Sequence, residues 1–290
     1  MLVSERIGQF FFESDGGRDR LEYTEYGSGD QWVVLLHGLL MPRRMQQPLA
    51  RAMAAQGLHV VTLDLLGHGR SDQPADPLVY SMTAFGRQVV ALLDHLGAEQ
   101  AVVGGTSLGA NVSLEVAVIA PERVKGLIVE MPVLNNALVA GILAFVPIML
   151  AARYVPLTAN TLQRLSRSVP RGLVPFWAGI GLDTVDHRAD SIASVLHGVI
   201  FGRLAPSSRL RRRIQAPVFV VGHPVDPIHP FVDADMLAAE LPNVRMERAT
   251  SILEWRFRPD RLTAAATDFA LDCWAASGSA AGPRTRTRKR

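Results

Sequence analysis

The sequence predicts a single α/β domain built on a mostly parallel, twisted β-sheet with helices on both faces. Two observations predict it: short aliphatic runs alternate with helical patterns along the chain, and 290 residues are enough to bury one full core. Apolar residues make up 48% of the chain and charged residues 20%, the balance of an ordinary folded protein. We therefore expect one compact α/β core.

The predicted strands are short runs rich in branched aliphatic residues. The runs expected to pair in parallel cover residues 32–36, 60–63, 101–103, 124–129, 218–221 and 244–246. Two earlier segments, 10–12 and 22–26, are bracketed by Asp-Gly-Gly and Gly-Ser-Gly, so they predict an antiparallel hairpin at the sheet edge. Helices are predicted at residues 45–56, 82–96, 108–119, 232–240 and 259–274.

The alternation stops between residues 131 and 215, which contain helical patterns but no clear strand. We interpret this segment as a helical cap inserted into a core formed by residues 1–130 and 216–276. Within it, residues 137–152 have no polar side chain. At ~1.5 Å per residue this run spans about 24 Å, less than the ~30 Å hydrocarbon core of a bilayer, and Pro147 interrupts it. We expect a buried helical hairpin or an apolar lid, with peripheral membrane contact as the alternative and no membrane span.

The excess of basic over acidic residues comes from the last residues of the chain. Five of the 30 basic residues lie in the last seven positions, and without them 25 bases face 27 acids. The folded body therefore lacks the positive charge typical of nucleic-acid binding, and residues 277–290 are predicted to form a disordered basic tail. The sequence gives no basis for an oligomeric state.

Cysteine usage and the N-terminus indicate the compartment. Cys273 is the only cysteine, so a disulfide within the chain is excluded and a reducing compartment fits best. The first residues lack the long apolar run of a secretory signal, which makes the cytoplasm the expected location.

The segment Gly105-Thr106-Ser107-Leu108-Gly109 carries the strongest chemical signal. It joins a predicted strand to a predicted helix and has the G-x-S-x-G pattern of a nucleophile elbow. At such a turn the serine hydroxyl stands clear of the backbone, and the glycines let the helix approach the strand closely. The N–H of Leu108, at the start of the helix, would face an oxyanion formed on the substrate. Ser107 is therefore the candidate nucleophile.

Two further motifs follow the first two parallel strands: His37-Gly38-Leu39, and the loop from Asp64 to Asp72, which reads D-L-L-G-H-G-R-S-D. With the elbow, they make the chain from about residue 20 to 275 resemble the α/β-hydrolase superfamily. The closest branch contains lidded esterases, epoxide hydrolases, haloalkane dehalogenases and carbon–carbon hydrolases.

The resemblance implies roles for these motifs. Leu39 takes the position of the second oxyanion N–H donor, while His37 and the loop histidine His68 take structural positions. Epoxide hydrolase and dehalogenase chemistry needs an aspartate where this chain has Ser107, so acyl transfer or carbon–carbon hydrolysis remains.

The acid that orients a catalytic histidine is expected after the strand at residues 218–221. Asp226 lies there and matches the family position, although an Asp-Pro pair also initiates turns. Glu130, at the end of the strand at residues 124–129, is the alternative acid, because related dehalogenases place a glutamate after this strand.

The catalytic histidine is missing from its usual position. The family places it in a Gly-His pair after the last strand, where this chain has Ser251-Ile252. Isoleucine cannot accept a proton, so the base must be another residue or be absent. His229 is the leading substitute. The weaker candidates, each with an ordinary structural or ion-pairing role as the alternative, are His223, His187, His197 and Glu254.

Two functions remain open from the sequence. The first is a serine hydrolase that forms an acyl-enzyme at Ser107 with a small apolar ester, thioester or related acyl substrate. The second is a fold retained for binding a hydrophobic ligand or partner after the loss of catalysis. No metal-ligand spacing or dinucleotide motif is present, so no cofactor is expected.

Overall fold

The computed structural model of the protein describes residues 3–14 and 17–278. These residues form an eight-stranded sheet with the order β1-β2-β4-β3-β5-β6-β7-β8. The strands are β1 (Glu5–Ser14), β2 (Gly17–Tyr26), β3 (Trp32–Leu36), β4 (His59–Leu63), β5 (Ala101–Thr106), β6 (Val124–Glu130), β7 (Val218–Gly222) and β8 (Val244–Arg248). Strands β3 to β8 pair in parallel, while β1 with β2 and β2 with β4 are antiparallel. The predicted parallel sheet and edge hairpin are confirmed.

Helices cover both faces of this sheet. They are α1 (Gln47–Ala55), α2 (Met82–Leu96), α3 (Leu108–Ile119), α4 (Leu138–Tyr154), α5 (Pro156–Ser168), α6 (Phe176–Val185), α7 (Ala189–Ile200), α8 (Ser208–Arg211), α9 (Phe231–Glu240), α10 (Glu254–Phe257) and α11 (Asp260–Gly278). Because side chains alternate along a strand, Val34 and Leu36 pack into the core under α2 and α3, whereas Val33 and Leu35 pack into the core under α1 and α11.

The segment from residue 131 to 215 holds α4 to α8, and its described residues include no strand, as predicted. The expected helical hairpin at residues 137–152 is wrong, because α4 continues through Pro147 as one helix. Proline removes one backbone hydrogen bond, to the carbonyl of Leu143. Leu143 lies on the exposed side of α4, where water can satisfy that carbonyl.

The C-terminal helix extends further than the sequence predicts. Helix α11 reaches Gly278, so the predicted tail begins inside it, and residues 279–290 lie outside the described part of the chain. Among the described helices, none is long and apolar enough to cross a membrane.

The turn from β5 to α3 depends on two glycines. A Cβ atom on Gly109 would lie 2.5 Å from the carbonyl oxygen of Leu36, and one on Gly105 would lie 2.6 Å from the carbonyl carbon of Gly109. Both contacts are with backbone, which cannot move aside as a flexible side chain can. The helix therefore packs on β3 only because these positions lack side chains.

We expect Gly109→Ala to lower the free energy of unfolding by about 2 kcal/mol or more, because the added methyl group overpacks a rigid contact. Urea unfolding measures the change. Gly181→Ala is the matched control, since this helical glycine has no neighbour within 4 Å of the added Cβ. Equal stability of the Gly109→Ala variant and the wild-type protein would contradict this account of the turn.

Candidate active site

Ser107 occupies the sharp turn between β5 and α3. Its backbone has φ 54° and ψ −108°, a conformation that residues other than glycine rarely adopt. The Ser107 N–H donates to the carbonyl oxygen of Glu130 at 2.9 Å, which ties the turn to the end of β6. This strained geometry fits the elbow expected from the sequence, and Ser107 lines a cavity between the sheet and α4.

His229 is the histidine that contacts Ser107. Its Nε2 atom lies 2.8 Å from the Ser107 Oγ, and its Nδ1 atom lies 3.0 Å from Oδ2 of Asp226. An ionised carboxylate only accepts hydrogen bonds, so the proton belongs on Nδ1 and Nε2 is free to accept from the serine hydroxyl. The three side chains form a continuous chain of hydrogen bonds of the Ser-His-Asp kind.

One short loop after β7 supplies both Asp226 and His229. Oδ1 of Asp226 accepts from the N–H groups of Ile228 at 2.8 Å and His229 at 2.9 Å, which folds the loop into a tight turn. Val225 precedes it at φ 59°, an unusual conformation for a β-branched residue. Burial opposes ionisation of Asp226, but the hydrogen bond and charge of His229 and the two N–H groups bring its pKa below the ordinary value.

The two expected oxyanion donors lie beside this arrangement. Leu39 and Leu108 line the same cavity as Ser107 and His229. Leu108 is the first residue of α3, so its N–H has no partner within the helix. Leu40, at φ 60°, turns the chain after Leu39. Both residues expected to supply oxyanion N–H groups therefore line the cavity that holds the serine hydroxyl.

The other histidines considered from the sequence have different partners. His223 lies with its Nδ1 3.0 Å from the Ser251 carbonyl oxygen, and the buried His187 accepts from the N–H of Gly69. His197 is exposed on α7. Glu254 pairs with Arg261 at 2.9 Å rather than with a neighbouring arginine of its own helix. Each of these side chains is absent from the described lining of the cavity.

The histidines near the early strands are structural, as the resemblance implies. His37 accepts from the N–H of Leu65 through Nε2, and Nδ1 of His68 lies 2.9 Å from the Leu66 carbonyl oxygen. Burial lowers the pKa of both imidazoles. The loop that follows Asp64 is a hydrogen-bonded turn, in which the Asp64 carboxylate accepts from the Arg70 N–H at 2.9 Å.

Glu130, the alternative acid, faces away from His229. Its Oε2 accepts from Arg256 at 2.6 Å and from the Thr106 hydroxyl, and its Oε1 lies 3.2 Å from His223 Nε2. Burial opposes ionisation, but the Arg256 guanidinium, with His223 and Thr106, lowers the Glu130 pKa to about 2. Through Thr106, this buried network contacts the residue that precedes Ser107 in the turn.

The cavity is apolar apart from the reacting groups. Sixteen residues line it, and the polar side chains among them are Ser107, His229 and Asn111. The Asn111 amide is already occupied, since its Nδ2 donates to the carbonyl oxygens of Val133 and Leu204 at 2.7 Å and its Oδ1 accepts from the Val133 N–H. Among the described residues of the lining, the free polar side chains are therefore those of Ser107 and His229.

Two buried polar residues important for the site were not identified from the sequence. Asn111 joins α3 to both ends of the cap, and Asp233 on α9 accepts from the N–H groups of Leu134 at 2.8 Å and Ala137 at 3.1 Å, just before α4. Asn111 is a single amide in an apolar helical run, which was the available signal. Asp233 is one of two acids near the start of α9, and nothing in the pattern distinguishes it from Asp235.

Comparison with known proteins places this geometry in a family. The profile of the α/β hydrolase fold family matches residues 31–247. The chain therefore belongs to the α/β-hydrolase-fold family, as the sequence motifs suggested.

Individual relatives are similar over part of the chain or in fold. A bifunctional epoxide hydrolase 2 of Sus scrofa is 35% identical to this chain, in an alignment that covers 37% of this chain and 19% of the relative. A putative carbamate hydrolase, RutD, of Azorhizobium caulinodans is 34% identical, in an alignment that covers 39% of this chain and 41% of the relative. The alignments thus span less than half of these curated relatives. The enol-lactonase from Burkholderia xenovorans LB400 superimposes with a TM-score of 0.71 at 20% identity, covering 90% of this chain and 99% of that one. A thermophilic esterase from Thermogutta terrifontis superimposes with a TM-score of 0.72 at 20% sequence identity, and the match covers 92% of this chain and 99% of the esterase chain.

The Glu130 network predicts an acid-dependent loss of stability. A carboxyl whose folded pKa is about 2 instead of the ordinary 4.5 stabilises the fold fully above pH 4.5 and less as the pH falls toward 2. We expect Glu130→Gln to cost about 3 kcal/mol at neutral pH, because it leaves the Arg256 charge without its carboxylate, and to flatten this part of the pH profile.

Urea unfolding at several pH values measures both effects. The exposed Glu122→Gln substitution is the control and should leave the profile unchanged. A profile for Glu130→Gln that parallels the wild-type profile would mean that this carboxylate does not carry the stabilisation.

Proposed function

We propose that the protein is a serine hydrolase that transfers an apolar acyl group to Ser107 and then to water, with His229 as general base and Asp226 as the acid that orients it. The observation that carries this proposal is the 2.8 Å contact between the Ser107 Oγ and Nε2 of His229. A serine without a base is a weak nucleophile at neutral pH, and this contact supplies one although Ile252 occupies the family's histidine position.

The acylation step uses each member of the site. His229 Nε2 takes the hydroxyl proton as the Ser107 Oγ attacks the substrate carbonyl carbon, and the carbonyl electron pair moves to oxygen. The N–H groups of Leu39 and Leu108 stabilise this oxyanion, and Asp226 stabilises the imidazolium. When the carbonyl re-forms, the bond to the leaving oxygen or sulfur breaks, and His229 returns its proton to the leaving group.

Deacylation repeats the sequence with water as the nucleophile. His229 takes a proton from water, the resulting hydroxide attacks the acyl-serine carbonyl carbon, and the proton returns to the Ser107 Oγ as the acid product leaves.

The cavity supports an apolar acyl group as the substrate class. Its wall is formed by side chains such as Met82, Phe145 and Val199, and the free polar side chains among its described residues are those of the reacting pair. Its volume is about 60 Å³, well below the roughly 300 Å³ at which ligand pockets begin. A substrate larger than a short acyl group therefore requires α4, which forms one wall, to shift.

We expect a fluorophosphonate to label the purified protein at Ser107, read as one adduct by intact mass. Ser107→Ala should abolish the adduct, because the phosphorus forms its bond with that oxygen. His229→Gln should slow labelling by about 10³-fold or more, because no other described histidine contacts Ser107.

Three further variants sharpen the test. His197→Gln replaces an exposed cap histidine and should label at the wild-type rate. Asp226→Asn should be slow, because its amide N–H would face Nδ1 and move the imidazole proton onto Nε2. Ile252→His should bring no large gain, since Ser107 already has an imidazole partner.

Absence of labelling in a folded protein that admits the probe would contradict the hydrolase proposal and favour the alternative, a pocket kept for ligand binding. Labelling that survives His229→Gln would keep Ser107 as nucleophile but refute His229 as its base.

A further inference from the structure

The outward side of α4 exposes apolar side chains along its whole length. Val139, Leu143, Pro147, Leu150 and Tyr154 recur at spacings of three or four residues, which places them on one side of the helix. Leu143 is 72% exposed and Tyr154 is 76% exposed. A helix that is apolar over four turns is normally buried all round, yet no described part of the chain covers this stripe.

The junction with α5 extends the same surface. Val155 follows Tyr154 directly, and Leu157, the second residue of α5, is 81% exposed. We refer to the α4 stripe together with Val155 and Leu157 as the apolar face.

The charged residues of the sequence segment that contains the apolar face have one sign. From Met131 to Leu182 the sequence contains four arginines and no aspartate or glutamate. Arg167 and Arg171 are paired with Asp186 and Asp183, which lie at the end of α6. Arg153 and Arg164 are exposed and have no acidic partner within 4.0 Å among the described residues. Arg164 lies two helical turns after Leu157, on the same side of α5.

We propose that the apolar face docks on the surface of an anionic lipid bilayer, with its aliphatic side chains among the acyl chains and Arg153 and Arg164 at the headgroups. Apolar residues flanked by unpaired cations are the pattern of an interfacial helix, and the helix lies on the membrane without crossing it. A second copy of the chain fits less well, because a two-fold contact on this face would bring the same arginines together with no carboxylate from this segment between them.

Docking here would bring lipid close to the cavity. The inward side of α4 contributes Leu138, Gly141, Ile142 and Phe145 to the cavity wall. One helix, roughly 10 Å across, therefore separates the apolar face from the space beside Ser107. The surface proposal does not depend on the serine chemistry, because binding is measured without turnover.

The test is vesicle flotation of the full-length protein with phosphatidylcholine alone and with phosphatidylcholine containing about 30% phosphatidylglycerol. We expect the wild-type protein to float with the anionic vesicles, and less at high salt or without phosphatidylglycerol. Leu143→Gln combined with Leu157→Gln should lower the bound fraction about tenfold.

Matched variants separate this surface from other causes. Leu78→Gln makes the same change at a site that is 86% exposed outside the apolar face, so it should bind like the wild-type protein. Arg153→Glu combined with Arg164→Glu should weaken binding to anionic vesicles. A chain that ends at Gly278 lacks the basic end of the sequence, and it should still bind in a manner that depends on Leu143 and Leu157.

Three results would overturn the proposal. One is absence of vesicle binding by the wild-type protein. Another is binding that is lost with residues 279–290 but unchanged by the double leucine substitution. The third is a dimer in sedimentation velocity that dissociates on that substitution while vesicles are not bound, which would make the face an interface between copies. Fluorophosphonate labelling in vesicle-free buffer reports separately on the proposed hydrolase activity.

Discussion

The contact between Gly109 and the backbone of Leu36 is the constraint on which the candidate site depends. It allows α3 to begin directly over β3, which leaves Ser107 only a tight, left-handed turn in which to leave β5. That turn points the serine hydroxyl into the cavity, and Leu108, the first residue of α3, lines the same space. On the other side, the buried Glu130 carboxylate joins Thr106 to Arg256, so the end of β5 is held from two directions. A strained residue persists only where surrounding contacts fix it in this way.

Much of this arrangement could be predicted from the sequence, because it depends on local patterns. The bounds predicted for α2 and α3 match the structure. Helix α2 has a long apolar periodicity between Ser81 and Gly97, and α3 begins at the elbow and ends just before Pro121. Ser107 could be placed at the turn because glycines flank it between a strand and a helix. Asp226 could be placed in the loop after β7 because a short apolar strand precedes it. For each of these features, the residues that predict it lie within a few positions of the residues that form it.

Other features depend on contacts that the sequence pattern does not encode. His229 reaches Ser107 because Val225 adopts a positive φ and Asp226 folds the following residues into a turn. A β-branched residue gives no warning of that conformation, so the position of the imidazole could not be predicted. The apolar run at residues 137–152 was similarly ambiguous, because a buried hairpin and a half-exposed helix have the same composition. Only the packed neighbours of α4 show which side is covered.

The central claim is that His229 acts on the atom at position 107, and a thiol introduced there tests it most directly. In Ser107→Cys, the rate of alkylation by iodoacetamide against pH reports the pKa of the new thiol; the buried Cys273, whose pKa is raised to about 11, should remain unreactive. We expect the pKa of the thiol at position 107 to lie below that of an ordinary cysteine, because His229 can take its proton, and to return toward the ordinary value when His229→Gln is added. An equal pKa with and without His229 would contradict the account.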